Sequence, residues 1–119
     1  MALHNEIGKK GEKLAVDYLI NKGYRIHCLN YSYRKAEIDI IAQINKQLVI
    51  VEVKTRSKID FGLPHEFIDQ KKIERLVKAA DHYVRMTDLS LEVRFDVISV
   101  YKVDQKIRIE HLKEAFYHF

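Results

Sequence analysis

The 119-residue chain has one cysteine, one proline and no apolar run near the ~18 to 20 residues needed to cross a bilayer. Cys28 alone closes no internal disulfide and has no partner at metal-ligand spacing, so it is expected as a small core residue without chemistry. Pro64 falls with Gly62 in "SKIDFGLPHEF", whose mixed polarity marks a loop running into a helix. The start, "MALHNEIGKKGEK", lacks the apolar centre of a signal peptide, so the expectation is a cytoplasmic protein without a membrane partner. There is no internal repeat, low-complexity segment or shift in composition, and one domain over 1–119 follows. The histidines His4, His27, His65, His82, His111 and His118 show no HxH, HExxH or zinc-type spacing. They are expected as surface or core residues, with His65 beside Pro64 the one worth testing.

What is present is an ordinary globular mixture, 47% hydrophobic and 32% charged, far from compositions that stay disordered. The formal charge is +4 and the pI about 9.1. Positive charge is clustered at Lys9, Lys10 and Lys13; Arg34 and Lys35; Lys54, Arg56 and Lys58; and Lys71, Lys72, Arg75 and Lys78. Such clusters suit a polyanion, although each also fits a solvated face, and charge alone leaves nucleic-acid binding open.

Helical spacing of Ile7, Leu14, Ala15, Tyr18 and Leu19 predicts a first helix from Asn5 to Lys22, stopped at Gly23. Glu12 falls at the margin of its apolar stripe, where a solvated surface residue is the plain alternative to one pointing towards the sheet. Strands are expected over Tyr24–Tyr33, with ragged alternation, Glu37–Gln43 and Gln47–Lys54. A second amphipathic helix runs from Ile68 to about Met86, then a hairpin of Glu92–Tyr101 and Lys106–Leu112 around "VDQK", then an aromatic tail, "AFYHF". The order αβββαββ describes an α/β (α+β) domain: a mixed sheet of about five strands flanked by helices.

The stretch "EIDIIAQINKQLVIVEVK" carries Glu37, Asp39, Glu52 and Lys54 inside otherwise apolar strands. Alternation puts Glu37, Asp39 and Ile41 on one face, and Leu48, Ile50, Glu52 and Lys54 on one face of the next strand. If Asn45 and Lys46 form a two-residue turn, Asp39 lies opposite Glu52 and Glu37 opposite Lys54. Opposed Cβ atoms are about 4.5 to 5.5 Å apart, and two carboxylates at about 4 Å repel by roughly 4 kcal/mol at an effective dielectric of 20. Such a pair needs a proton, a lysine or a divalent cation between its members. The structural alternative is a buried salt-bridge network, a weak reason to keep charges inside.

Asp39, then twelve residues, then "EVK" at Glu52–Lys54, after a helix bearing Glu12, resembles the active-site pattern of the PD-(D/E)XK nuclease superfamily. More closely, "GKKGEKLAVDYLINKGY", "LNYSYRKAEIDII", "VEVKTR", "FGLP", "RFDVISV" and "EAF", spread over nearly the whole length, resemble the YraN-like family of small predicted endonucleases, distantly similar to Holliday-junction resolvases. The family's usual Gly before the Glu-Ile-Asp segment is Ala36 here, which would strain a turn that needs φ > 0.

The resemblance implies a restriction-endonuclease-like fold and metal-dependent hydrolysis of DNA phosphodiester bonds, with branched or junction DNA in repair or recombination as the candidate substrate. Asp39 and Glu52, with the backbone carbonyl of Val53, would ligate Mg²⁺ or Mn²⁺, and Lys54 would stabilise transition-state charge. Glu12 would join as an outer group or second-ion ligand. Arg34, Thr55, Arg56, Lys72 and Gln70 are candidate contacts to DNA phosphates, with a solvated helix residue the alternative for Lys72 and Gln70. The competing readings are a non-catalytic nucleic-acid-binding module on the same fold, and a scaffold docking a partner through the aromatic tail. A two-fold homodimer would suit paired cuts on a junction.

Overall fold

The computed structural model describes the backbone of residues 2–56 and 69–115, and the side chains of 9–55 and 69–115. The elements are α1 (Ala2–Asn21), β1 (Arg25–Tyr33), β2 (Ala36–Ile44), β3 (Gln47–Arg56), α2 (Gln70–Thr87), β4 (Glu92–Val103) and β5 (Lys106–Leu112). This is the order αβββαββ read from the sequence, with boundaries moved by a residue or two at most ends. Most of the loop around Pro64, His65 included, and the tail 116–119 lie outside the described residues.

Local chemistry sets the element ends. Gly23, at φ 94°, lets α1 close with Gly23 N–H on the Ile20 carbonyl and Tyr24 N–H on that of Leu19. Asp69 caps α2 by accepting from the Lys72 N–H at 2.8 Å. Three two-residue turns join the antiparallel hairpins, at Arg34–Lys35, Asn45–Lys46 and Asp104–Gln105, each with a left-handed residue (Arg34 φ 56°, Asn45 φ 52°, Asp104 φ 48°). Ala36 is therefore not the strained position: the left-handed conformation falls on Arg34, while Ala36 pairs with Tyr33 and buries its methyl.

The sheet runs β1-β2-β3-β4-β5, with only β3 and β4 parallel, as the crossover through α2 allows. On one face Ala15 and Leu19 of α1 pack with Ile40, Ala42, Val49, Val51, Ile98 and Val100. On the other, Leu76, Ala79 and Ala80 of α2 pack with Ala36, Ile38, Ile41, Leu48, Ile50 and Phe95. Strand β3 alternates between these faces as expected. Strand β2 does not: Ile38 and Ile41 lie on the α2 face, Ile40 and Ala42 on the α1 face, so the alternation slips at Asp39. Across from Asp39, between the pairs Leu29–Ile40 and Tyr31–Ile38, Asn30 adopts φ 52°, while the register shift of β1 lies earlier, between Ile26 and Cys28.

Helix α1 approaches β3 closely because Gly11 has no side chain. A Cβ built there would stand 2.1 Å from Thr55 Oγ1 and 2.9 Å from its Cγ2. Gly11→Ala is expected to lose about 1–3 kcal/mol in urea unfolding through overpacking. Adding Thr55→Ala, which removes both clashing atoms, restores most of it. Additive losses in the double variant would refute the contact.

Candidate active site

The β2–β3 ladder follows the register read from the sequence, from Ile44–Gln47 to Ile40–Val51, and ends one pair short of Asp39 and Glu52. Beyond it the strands part. Asp39 meets β3 with its side chain, accepting the Val53 N–H on Oδ2 at 2.8 Å. Glu52 stays in the parallel ladder with Val97 and is 7% exposed. Glu37, paired with Ser32 of β1, is exposed. The slip at Asp39 and the end of the β2–β3 ladder thus place both carboxylates where the two strands part.

Two lysines face Glu52. Lys72, on the first turns of α2, donates to Oε1 at 2.7 Å, and Lys54 Nζ lies 3.9 Å from the same oxygen. The other oxygen, Oε2, is buried and has no hydrogen-bond partner among the described residues, a costly state for a carboxylate and the kind a bound ligand relieves. Burial, and next the charge of Glu52, push the Asp39 carboxyl up to about 7, against the opposing pull of the Val53 N–H. Burial lowers the Lys72 ammonium, but its hydrogen bond and charge pairing with Glu52 outweigh that and raise it, so Lys72 remains a cation.

The Asp39 shift has a measurable sign. An unperturbed Asp titrates near 3.8, whereas folded Asp39 keeps its proton to about pH 7. Its contribution therefore favours the fold fully below pH 3.8 and is lost as the pH rises through 7. In urea titrations without divalent ions, Asp39→Asn is expected to lose this decline between about pH 4 and 7 relative to the parent. Parallel pH profiles for the two proteins would rule the assignment out.

Of the residues singled out in the sequence, Asp39, Glu52, Lys54 and Lys72 are brought together, with the Val53 backbone between the carboxylates. Glu12 stands nearby: its charge raises Asp39, and its Oε1 accepts from Asn30 Nδ2 at 2.9 Å. Among the described residues no three His, Cys, Asp or Glu side chains form a ready-made metal cluster, so Glu12 stands apart from the pair. Thr55 packs against Gly11, Gln70 is exposed at the start of α2, and Arg34 lies at the β1–β2 turn beside Tyr33. The Arg56 side chain is outside the described residues. Sequence reasoning missed Asn30 and Gly11, which seat the segment bearing Glu12. An Asn inside an irregular strand and the second glycine of "GKKGE" were the available signals.

The pair offers hard oxygen donors, one of them unsatisfied, and two cations; the donor set suits a divalent metal and the lysines suit an anionic substrate. Comparison with known proteins finds sequence relatives along the whole chain. Residues 11–100 match the family model described as "Uncharacterised protein family UPF0102". The chain is 57% identical over 119 residues, all of both chains, to a UPF0102 protein of Flavobacterium psychrophilum, and 53% over the same span to one of Christiangramia forsetii. A UPF0102 protein of Phocaeicola vulgatus is 44% identical over 117 residues, covering 98% of this chain and 97% of its own.

Proposed function

The chain belongs to the UPF0102, or YraN-like, family, and we propose that it is a metal-dependent endonuclease-like protein that hydrolyses DNA phosphodiester bonds at Asp39 and Glu52. The observation that carries this reading is the unpartnered, buried Glu52 Oε2 beside a carboxyl forced up to about 7. Once ionised, Asp39, buried beside the Glu52 charge, costs the fold stability unless a cation joins the pair.

Asp39, Glu52 and the Val53 carbonyl would hold Mg²⁺ or Mn²⁺, which when bound supplies Lewis acidity at the phosphate and a water of lowered pKa. Lys54 supplies positive charge for the transition-state phosphorane, and its carboxylate neighbour favours the charged form over a general base. Lys72 holds Glu52 Oε1, so that Oε2 is the oxygen left for the ion. Asn30 fixes the Glu12 carboxylate near Asp39, where it adds to the negative field around the ion. Branched or junction DNA in repair or recombination is the substrate class this proposal carries.

The Lys72–Glu52 pair also supports a second reading, a nucleic-acid-binding module in which a lysine alone neutralises the site. One experiment separates them. The purified protein is melted with and without Mg²⁺ or Mn²⁺ and incubated with branched, flapped and linear DNA. A metal-dependent rise in Tm together with metal-dependent cleavage is expected. Binding that weakens steeply with salt, ignores the metal and cuts nothing would select the binding module.

A further inference from the structure

A second cavity, of about 270 Å³, lies between the β1–β2 turn and the middle of α2, lined by Tyr33, Arg34, Lys78, Asp81, His82 and Arg85. Its charges are three cationic side chains against one carboxylate, and that carboxylate, Asp81, already pairs with Arg85 at 3.1 Å. Arg34 and Lys78 are left as the net positive groups. No role in the fold accounts for them: both are exposed, and Arg34 sits on a left-handed turn residue where a smaller side chain would turn the chain as well.

The aromatic part of the cavity is held rigidly. The Tyr33 ring stacks on His82 with centroids 4.1 Å apart and planes 22° apart, and His82 Nδ1 is bonded to the Tyr31 hydroxyl. Arg34 is oriented by the same ring, its Nε donating to the Tyr33 hydroxyl at 3.1 Å and its guanidinium lying 5.3 Å from the ring centre. A planar cation held over a fixed aromatic ring meets a phosphate and the adjoining sugar of a nucleic-acid strand. The volume lies just under the ~300 Å³ at which pockets for whole small molecules begin, and it suits one nucleotide unit of a strand passing over the surface.

The position fits a strand that also reaches the active site. Lys72 holds Glu52, and Lys78 is six residues further along the same helix, a rise of about 9 Å. We propose that this cavity is a second DNA-contact site, taking a backbone phosphate on Arg34 and Lys78 and its sugar beside Tyr33, on a strand whose scissile bond lies at Asp39 and Glu52. The proposal rests on DNA being the partner of the Asp39–Glu52 site.

The test compares the parent with R34Q/K78Q and the charge-preserving R34K/K78R, by anisotropy of labelled branched DNA over a salt series, by cleavage, and by Tm. With its Tm unchanged, R34Q/K78Q is expected to bind on the order of ten-fold more weakly, with the slope of log affinity against log salt shallower by about 0.9, one phosphate's worth, while R34K/K78R keeps the parent's slope. Unaltered binding and slope in R34Q/K78Q, with a parent that cuts DNA, overturns the second site and leaves the nuclease reading standing. A parent that binds but never cuts, with binding lost in R34Q/K78Q, supports the site and removes the nuclease reading. Equal losses in both variants would make the effect one of packing and overturn the proposal, as would a parent that binds no DNA.

Discussion

Asp96→Ala is expected to remove about 3–5 kcal/mol of folding stability, the scale for leaving a buried charge without its partner. Asp96 is fully buried and engaged on both oxygens: Arg94 bonds it twice, at 2.9 and 2.8 Å, His111 Nε2 lies 2.6 Å away, and the Glu114 N–H donates at 3.1 Å. Burial raises the carboxyl, but the His111 and Arg94 hydrogen bonds outweigh that and hold it below the usual carboxylate range. Arg94 reaches on to the Tyr24 hydroxyl and Gln47, and His111 to the Tyr18 hydroxyl, so one acid ties β4 to β5, to β3 and to the end of α1. Domains of this size are stable by about 5–15 kcal/mol, so the loss lowers Tm by on the order of 15 °C. Asp96→Asn, which keeps the shape and loses the charge, should fall between. A Tm within about 2 °C of the parent for Asp96→Ala would mean that the network adds little.

The second large effect is on the proposed activity. Asp39→Asn, Glu52→Gln and Lys54→Ala are each expected to cut DNA cleavage by about 10²–10³-fold, the scale for losing one group that acts on developing charge. Their effects on stability separate the two acids. Above pH 7 without metal, Asp39→Asn relieves burial and repulsion from Glu52 and raises Tm, because an amide oxygen still accepts the Val53 N–H. Glu52→Gln lowers Tm, because Lys72 and Lys54 lose the charge they face. Opposite signs of stability with a shared loss of cleavage mark a site held against the interests of the fold. Cleavage that survives both Asp39→Asn and Lys54→Ala would belong to a contaminant.

Much of this was legible locally. Helical periodicity and Gly23 marked α1, period-2 runs marked the strands, and Asn45–Lys46 set the register of the central hairpin. The chemical candidates Asp39, Glu52 and Lys54 were visible because charges inside apolar strands break the pattern that burial imposes. The reading of strict alternation failed at Asp39, since it assumes an unbroken pleat, and the left-handed Asn30 across from it breaks that pleat. Lys54 was one candidate cation for the pair, beside a divalent metal; the shorter lysine contact to Glu52 comes from Lys72, twenty residues away in sequence.

By itself, then, the sequence determined the order of elements and the hairpin register and marked the candidate acids, because each depends on neighbours within a few positions along the chain or on a turn two residues long. Only the tertiary structure decided that the strands part at Asp39, that Lys72 takes one oxygen of Glu52 and leaves the other open, that Asn30 holds Glu12, and that Asp96 binds Arg94 and His111. These are side-chain pairings between elements joined by long connections. Their geometry follows from how the two helices pack on opposite faces of the sheet, which no local period records.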